Sequence, residues 1–227
     1  MSIEALRTST LDWSPLRETE GAEKNQSSSS EQGVSQPPAS IAPYNPLLAE
    51  RFFTEALSAA EAGQFDRSLQ LAQTHLIGYE LQKALSFLCK AKAKAGQADE
   101  AFEIVERAAP EGLKQALLSS ISRGLAEKGE AEKSTEVAYM IFDELDRDLT
   151  LEHNAKELVK LGARDQALEV ANKISNRHAK RRALTPIASA FREAGEAAKV
   201  EMLQPIIDSL PLYREIFDEL QLGYFPL

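Results

Sequence analysis

A single glycine recurs at a constant interval through most of this chain. Gly63, Gly96, Gly129, Gly162 and Gly195 are spaced 33 residues apart, and no insertion breaks the register. A constant period of this length is typical of proteins built from stacked structural repeats. Because apolar residues recur at helical spacing on both sides of each glycine, we predict five two-helix repeats, each with a helix A before its glycine and a helix B after it.

Residues at fixed distances from the glycine indicate how helices A and B pack. Large apolar residues lie eleven residues before and eight residues after the glycine, whereas small residues lie seven residues before it. That small column consists of Ala56, Cys89, Ser122, Ala155 and Ala188. One hairpin cannot bury such a face alone, so neighbouring hairpins must stack into a continuous core. The sequence therefore predicts an all-α fold, an α-solenoid of five antiparallel helical hairpins plus a C-terminal capping helix.

These columns resemble the tetratricopeptide repeat, a two-helix unit of about 34 residues with a glycine near its turn, a small residue in helix A and an alanine in helix B. The resemblance covers about residues 46–210 and is carried by the glycines, the small column, Ala101 and Ala167. The sequence departs from the family in its period and in having one aromatic residue, Phe191, in the column four residues before the glycine. The resemblance implies a right-handed solenoid whose A helices line a concave, peptide-binding surface.

The chain divides into three segments by composition. Residues 1–43 are rich in Ser with few apolar residues, so we expect a disordered N-terminal arm. Residues 44–210 hold the five repeats, and residues 211–227 are expected to form a capping helix and an apolar tail that cover the last repeat. The apolar residues around Trp13 are either a docking motif for a partner or incidental residues of the arm.

Two kinds of residue bear on the helices themselves. Pro186 and Pro205 fall inside the predicted helices of repeat 5, and each is expected to kink or restart its helix because proline has no N–H to donate. Acidic residues follow three positions after most of the glycines, where we expect them to begin helix B, interact with its dipole and cap free N–H groups. These residues are Asp66, Asp99, Glu132 and Asp165.

Composition limits the location and the class of partner. The net charge of −9 argues against a protein that follows a phosphate backbone, and no apolar run is long enough to span a bilayer. With Cys89 as the one cysteine, no internal disulfide forms, so we expect a reducing, cytoplasmic location. A secreted bacterial effector without a cleavable signal peptide is the alternative that the Ser-rich arm leaves open.

No constellation of residues predicts chemistry. His75, His153 and His178 are isolated in the sequence, and Cys89 belongs to the small column that packs between helices. We interpret Cys89 and His75 as packing residues and expect no catalytic residue, no metal site and no cofactor. The protein is therefore predicted not to be an enzyme.

The expected concave face carries the candidate binding residues. If the resemblance holds, its exposed positions lie 13, 10, 6, 3 and 2 residues before each glycine, and they hold eight basic and five acidic residues, although the whole chain is acidic. This balance indicates either a groove for an acidic protein segment or an ordinary solvated surface. The candidate partner-binding residues are Lys83, Lys90, Lys94, Arg123, Lys156, Lys160 and Arg192.

The sequence therefore predicts a non-enzymatic adaptor or scaffold for protein–protein interaction, with neither a nucleic acid nor a membrane among its partners. A chaperone for a secreted or assembling protein is an alternative, supported by apolar residues at inner positions: Phe53, Leu57, Leu149 and Val159. An RNA-binding helical repeat is an alternative of another class, against which the net charge and the irregular inner columns argue. The sequence leaves the oligomeric state open.

Overall fold

The protein is described by a computed structural model that covers residues 45–107, 109 and 111–211. The described residues form ten α-helices and a short 3₁₀ helix at Glu111–Leu113, with no strand among them, which confirms the all-α class. The helices are α1 Pro46–Glu61, α2 Phe65–His75, α3 Gly78–Lys94, α4 Ala98–Arg107, α5 Lys114–Lys128, α6 Ala131–Tyr139, α7 Glu144–Lys160, α8 Arg164–Asn172, α9 Arg177–Glu193 and α10 Ala197–Ser209. The predicted arm with Trp13, and the predicted cap beyond Pro211, lie outside this part of the chain.

The helices pack in a regular order. Each odd-numbered helix contacts the even-numbered helix that follows it, and α1, α3, α5, α7 and α9 contact one another in succession. The odd-numbered helices are the predicted A helices, and the even-numbered ones are the predicted B helices. Each described helix thus packs extensively only on helices one or two places away in the chain order. This pattern is a helical-repeat-like all-α architecture. The right-handed solenoid stays a prediction.

Each of the five periodic glycines closes its hairpin in the same way. Their φ angles lie between 74° and 91°, a left-handed conformation that other residues rarely adopt. At Gly129, the glycine N–H donates to the Ala126 carbonyl at 2.9 Å, and the next N–H, from Glu130, donates to the Leu125 carbonyl at 2.9 Å. The other four glycines repeat this pair of bonds, which is the Schellman pattern that satisfies the last carbonyls of a helix. The glycines therefore end helix A, as predicted.

The small column lies in the core, as predicted, because all five of its residues are buried. The buried apolar residues form two clusters, one among α1 to α6 and one among α6 to α10. Buried polar groups lie between α5, α6 and α7: the Asn154 amide donates to Ser122 Oγ at 2.8 Å, and Ser122 Oγ donates to the Ser134 carbonyl at 2.7 Å. These bonds constrain how repeats 3 and 4 stack, because a shifted register would leave buried polar groups without partners.

Cys89 and His75 have the packing roles expected from the sequence. Cys89 is fully buried, and this burial raises the pKa of its thiol to about 12 despite the nearby charge of Lys92. The thiol therefore stays protonated at neutral pH and donates weakly to the Ala101 carbonyl. The His75 ring stacks on Phe52 with 3.7 Å between ring centroids, so this histidine joins α2 to α1.

Two expectations about helix ends and interruptions are met only in part. The acidic residues Asp66, Asp99, Glu132 and Asp165 do lie in the first turns of even-numbered helices, but α2, α6 and α8 receive no side-chain capping bond. Each lies where a carboxylate interacts favourably with the helix dipole. Neither Pro186 nor Pro205 restarts its helix, because α9 and α10 continue past them. One lost hydrogen bond is outweighed by apolar residues buried on both sides of each proline.

Gly124 allows α3 and α5 to pack with their backbones in contact. A Cβ atom added at this helical glycine would lie 2.4 Å from the Lys90 carbonyl oxygen and 2.8 Å from the Ala93 Cβ. Both distances are shorter than van der Waals contact, and backbone atoms cannot move aside as a flexible side chain would. Gly124 therefore sets the distance between two helices that carry several of the candidate binding residues.

We expect Gly124→Ala to lower the free energy of unfolding by about 2 kcal/mol or more, because the added methyl group forces α3 and α5 apart. Urea unfolding followed by circular dichroism measures this change. Gly112→Ala is the matched control, since a Cβ there meets no atom within 4 Å. Equal unfolding midpoints for the two variants would contradict the proposed backbone contact.

Lys92 is a buried cation at a core position. It is 5% exposed, and its Nζ lies 2.6 Å from Glu100 Oε2 and 4.8 Å from the centre of the Phe65 ring. Lys92 thus joins α3 to α4 and to α2. Its position is four residues before the glycine, where the other repeats have Ala59, Leu125, Leu158 and Phe191.

We expect Lys92→Ala to lower the free energy of unfolding by roughly 2 kcal/mol, since the lost stem leaves a cavity beside Phe65. Lys92→Met should stay within about 1 kcal/mol of the unmodified protein, because a hydrophobic residue of similar volume often replaces a buried ion pair without loss. Urea unfolding of both variants tests this. If the methionine variant is as unstable as the alanine variant, the ion pair with Glu100, and not the packing of the Lys92 stem, stabilises the fold.

Candidate functional site

The predicted inner face is only partly exposed. Ala60, Ala93 and Ala126, three residues before their glycines, are buried, so the expectation that this column is exposed is wrong in repeats 1 to 3. The reason is helical spacing: the column lies four residues after the small column, so both point to the same side of helix A. The column six residues before the glycine is half-buried, and Lys83, Lys94, Lys160 and Arg192 are exposed.

Two of the candidate lysines share one carboxylate. Lys90 Nζ lies 2.8 Å from Glu127 Oε1, and Lys94 Nζ lies 3.1 Å from Glu127 Oε2. Burial alone would raise the pKa of Glu127, but the hydrogen bonds and charges of the two lysines outweigh it and lower that pKa. Glu127 therefore stays ionised and joins α5 to α3.

A second carboxylate, Glu152, also binds two cations, two interfaces further along the stack, between α7 and α9. It accepts a hydrogen bond from Lys156 Nζ at 2.5 Å and a pair from the Arg182 guanidinium of α9, at 2.9 Å to Nε and 2.6 Å to Nη2. Burial opposes ionisation here too, but the bonds from Arg182 and Lys156 lower the pKa of Glu152. Lys160 pairs with Glu157 at 2.6 Å. Four of the seven candidate cations, Lys90, Lys94, Lys156 and Lys160, are thus already paired within the protein.

Three of the candidate cations line a cleft between α3, α5 and α7, which we call the cationic cleft. Its volume is about 340 Å³. It brings together three candidate residues, Lys83, Lys90 and Arg123, whereas Lys94, Lys156, Lys160 and Arg192 do not line it. None of its described lining residues is acidic. The lining residues are Tyr79, Gln82, Lys83, Ser86, Phe87, Lys90, Ser120, Arg123 and His153.

Sequence reasoning missed one column of the cleft. Phe87, Ser120 and His153 each lie nine residues before a glycine, on three successive A helices, and all three line the cleft. This column lies one helical turn from the columns at 13 and 6, so helical periodicity was a sufficient signal for it. Its residues were overlooked because they share no charge or residue type.

Arg123 is the cation of the cleft that the protein itself satisfies least. It is half-buried, its Nε is fully enclosed without a hydrogen-bond acceptor, and no carboxylate of the described residues pairs with its guanidinium. Burial lowers the pKa of Arg123, and the charge of Asp146 opposes this shift only in part. Burial also lowers the pKa of His153, as does the charge of Arg123. The imidazole is therefore neutral at pH 7, and the charge of the cleft comes from Lys83, Lys90 and Arg123.

A second cleft, of about 400 Å³, lies at the other end of the described stack. Its lining includes Lys156, Arg182 and Arg181, and it borders Pro211, where the described chain ends. Arg181 Nη1 donates to the carbonyls of Ile207 and Leu210. Since Glu152 and these carbonyls already bind the cations of this cleft, it is less suited to an external anion than the cationic cleft.

Within the part of the chain that the structure describes, no three or more His, Cys, Asp or Glu side chains are grouped as metal ligands. No described helix is both long enough and apolar enough to cross a membrane. No protein-family model matches the sequence, and no curated protein or solved structure shows significant similarity to it.

The paired carboxylates predict a specific response to acid. Because the folded-state pKa values of Glu127 and Glu152 lie below the unfolded value of about 4.3, their stabilisation is complete above that pH and is lost as the pH falls through the folded-state values. We expect the double variant Glu127→Gln, Glu152→Gln to be less stable than the unmodified protein at neutral pH. Its stability should also fall less steeply in acid.

Urea midpoints measured from about pH 7 down to about pH 3 test this, since a difference in slope reports the difference in bound protons. Glu103→Gln is the control, because that exposed carboxylate makes only a 3.8 Å pair with Arg107 on its own helix. Parallel pH profiles for the double variant and the unmodified protein would show that the two pairs do not stabilise the fold.

Proposed function

We propose that this chain is a tetratricopeptide-like, non-enzymatic adaptor that binds an acidic protein segment on the face of its odd-numbered helices. The cationic cleft is the anchoring point of that face. The five left-handed glycine turns and the buried small column support the family likeness. Burial of Cys89, the only cysteine, fits an adaptor that acts in the cytoplasm.

One observation carries this proposal: an acidic chain gathers three cations in a cleft whose described lining has no carboxylate. Exposed protein surfaces ordinarily mix both signs of charge, and the net charge here is −9. The separation of charge therefore creates a local positive potential that attracts an acidic segment and orients it.

The ion pairs change which residues carry the binding. Lys90 and Lys94 share the charge of Glu127, so their attraction for an external anion is reduced. Lys83 contacts only the Tyr79 ring, at 4.5 Å, among the described interactions, and Arg123 has no described ion pair. We therefore assign the leading roles to Lys83 and Arg123.

The apolar groove required by a chaperone has less support. Of the four inner apolar residues, Phe53, Leu57 and Val159 are half-buried, and Leu149 is 37% exposed. Such a surface offers little apolar area to a partner, because most of it is already removed from water.

Fluorescence anisotropy with labelled pools of short peptides tests the proposal. One pool has Glu and Asp at fixed positions, and the matched pool has Gln and Asn at the same positions. We expect the acidic pool alone to bind, with an affinity that falls as salt is added. Equal binding of the two pools would contradict a charge-based groove.

Lys83→Glu tests whether the acidic pool binds in the cationic cleft, because Lys83 lines it. We expect it to weaken binding of the acidic pool by about tenfold, because it removes an attraction and adds a repulsion. Arg107→Glu is the control, since it reverses the charge of an exposed arginine on α4 that does not line the cleft. If both variants bind as the unmodified protein does, the cationic cleft is not the binding site.

A further inference from the structure

Arg123 offers hydrogen-bond donors that nothing in the described protein uses. A guanidinium carries N–H donors in a rigid, planar arrangement that matches the oxygens of a carboxylate or a phosphate. The Nε of Arg123 is enclosed and has no acceptor. Buried donors without acceptors are uncommon in folded proteins, so each one needs a physical explanation. The rest of the same guanidinium donates to no described acceptor either, and since Arg123 lines the cationic cleft, an anion seated there would accept from it.

The composition of the cleft favours a doubly charged anion. Lys83, Lys90 and Arg123 line one volume of about 340 Å³ with no acidic residue among them. Glu127 offsets part of the charge of Lys90, which leaves about two positive charges for a ligand. A carboxylate carries one charge and two oxygens. A phosphate monoester carries close to two charges at neutral pH and three terminal oxygens.

The other lining residues fit the chain that would carry such a group. The hydroxyl groups of Ser86 and Ser120 lie beside the cations, although Ser120 Oγ already donates to the Ala116 carbonyl at 3.0 Å. Tyr79 and Phe87 add aromatic surface at the α3 side of the cleft. A protein segment can therefore place its phosphate against Arg123 and Lys83 and an adjacent apolar residue against these rings.

We propose that the cationic cleft binds a phosphorylated side chain of a partner protein, with the Arg123 guanidinium and the Lys83 ammonium as its ligands. This inference rests on the proposed function, because it specifies which acidic segment the groove selects. Phosphorylation of the partner then controls whether it binds.

The experiment measures how tightly the 227-residue chain binds three pools of labelled, degenerate peptides. The pools are identical except for a central Ser, Glu or phosphoserine. We expect the phosphoserine pool to bind at least about tenfold more tightly than the Glu pool, because it brings a second charge and a third oxygen to the same donors. The Ser pool should not bind measurably.

The Nε–H resonance of Arg123, observed by ¹H–¹⁵N NMR, reports the site directly. We expect it to shift when the phosphoserine pool or inorganic phosphate is added, and to stay in place when the Ser pool is added. An unmoved resonance in the presence of a bound phosphoserine pool would overturn the assignment of Arg123 as a ligand.

The outcomes separate this inference from the proposed function. Equal affinity for the Glu and phosphoserine pools overturns the phosphate preference and leaves the acidic-segment adaptor intact. Failure of all three pools, together with no binding of the acidic pool above, contradicts both. Each phosphodiester of a single-stranded RNA carries one charge, so the RNA should bind more weakly than the phosphoserine pool. If it binds as tightly and shifts the same resonance, the proposal is overturned in favour of nucleic-acid binding.

Variants confirm which side chains act. Arg123→Lys keeps the charge but loses the planar pair of donors, so we expect it to reduce the preference for phosphoserine over Glu. Lys83→Gln changes an exposed residue and leaves the core alone, so it tests the same site if the half-buried Arg123 variant proves unstable. Arg107→Gln is the control and should bind as the unmodified protein does. Unchanged affinity of both Arg123→Lys and Lys83→Gln would overturn the proposal.

Discussion

The left-handed turn at each periodic glycine is the constraint on which the rest of the structure depends. Two hydrogen bonds, from the glycine N–H and from the N–H after it, end helix A and direct the chain back along helix B. Because the same turn occurs every 33 residues, equivalent side chains of successive A helices lie beside one another. The small column then packs between helices A and B, and the columns on the opposite side form the face on which the cationic cleft lies.

Electrostatics on this face serve two purposes. Glu127 of α5 binds two lysines of α3, and Glu152 of α7 binds a lysine of its own helix and an arginine of α9, so each carboxylate joins two neighbouring A helices. Pairs of this kind, half-buried and with two partners, stabilise more than isolated surface pairs. They also reduce the attraction of Lys90, Lys94 and Lys156, three of the seven candidate cations, for an external anion. The cationic cleft around Arg123, next to the backbone contact at Gly124, has no carboxylate among its described lining residues.

Much of the fold was predictable because it depends on local conformation and on one period. A left-handed turn favours glycine, and two helices that pack closely need small residues, so both leave a recurring residue in the sequence. The prediction of exposure failed for the column three residues before the glycine, which is buried in repeats 1 to 3 because it faces the same side of helix A as the small column. Pro186 and Pro205 disfavour a helix locally, yet buried residues such as Ile187 and Ile207 keep α9 and α10 continuous.

The sequence by itself determined the helices, their ends and the order in which they stack, because these follow from residue preferences repeated at a fixed spacing. It also identified Lys83, Lys90 and Arg123 as members of one face. Only the tertiary structure decided that Lys90 is paired, that Arg123 is enclosed without an acceptor, and that His153 joins them. These facts depend on distances between side chains roughly one repeat or more apart in the chain, and periodicity alone does not specify those distances.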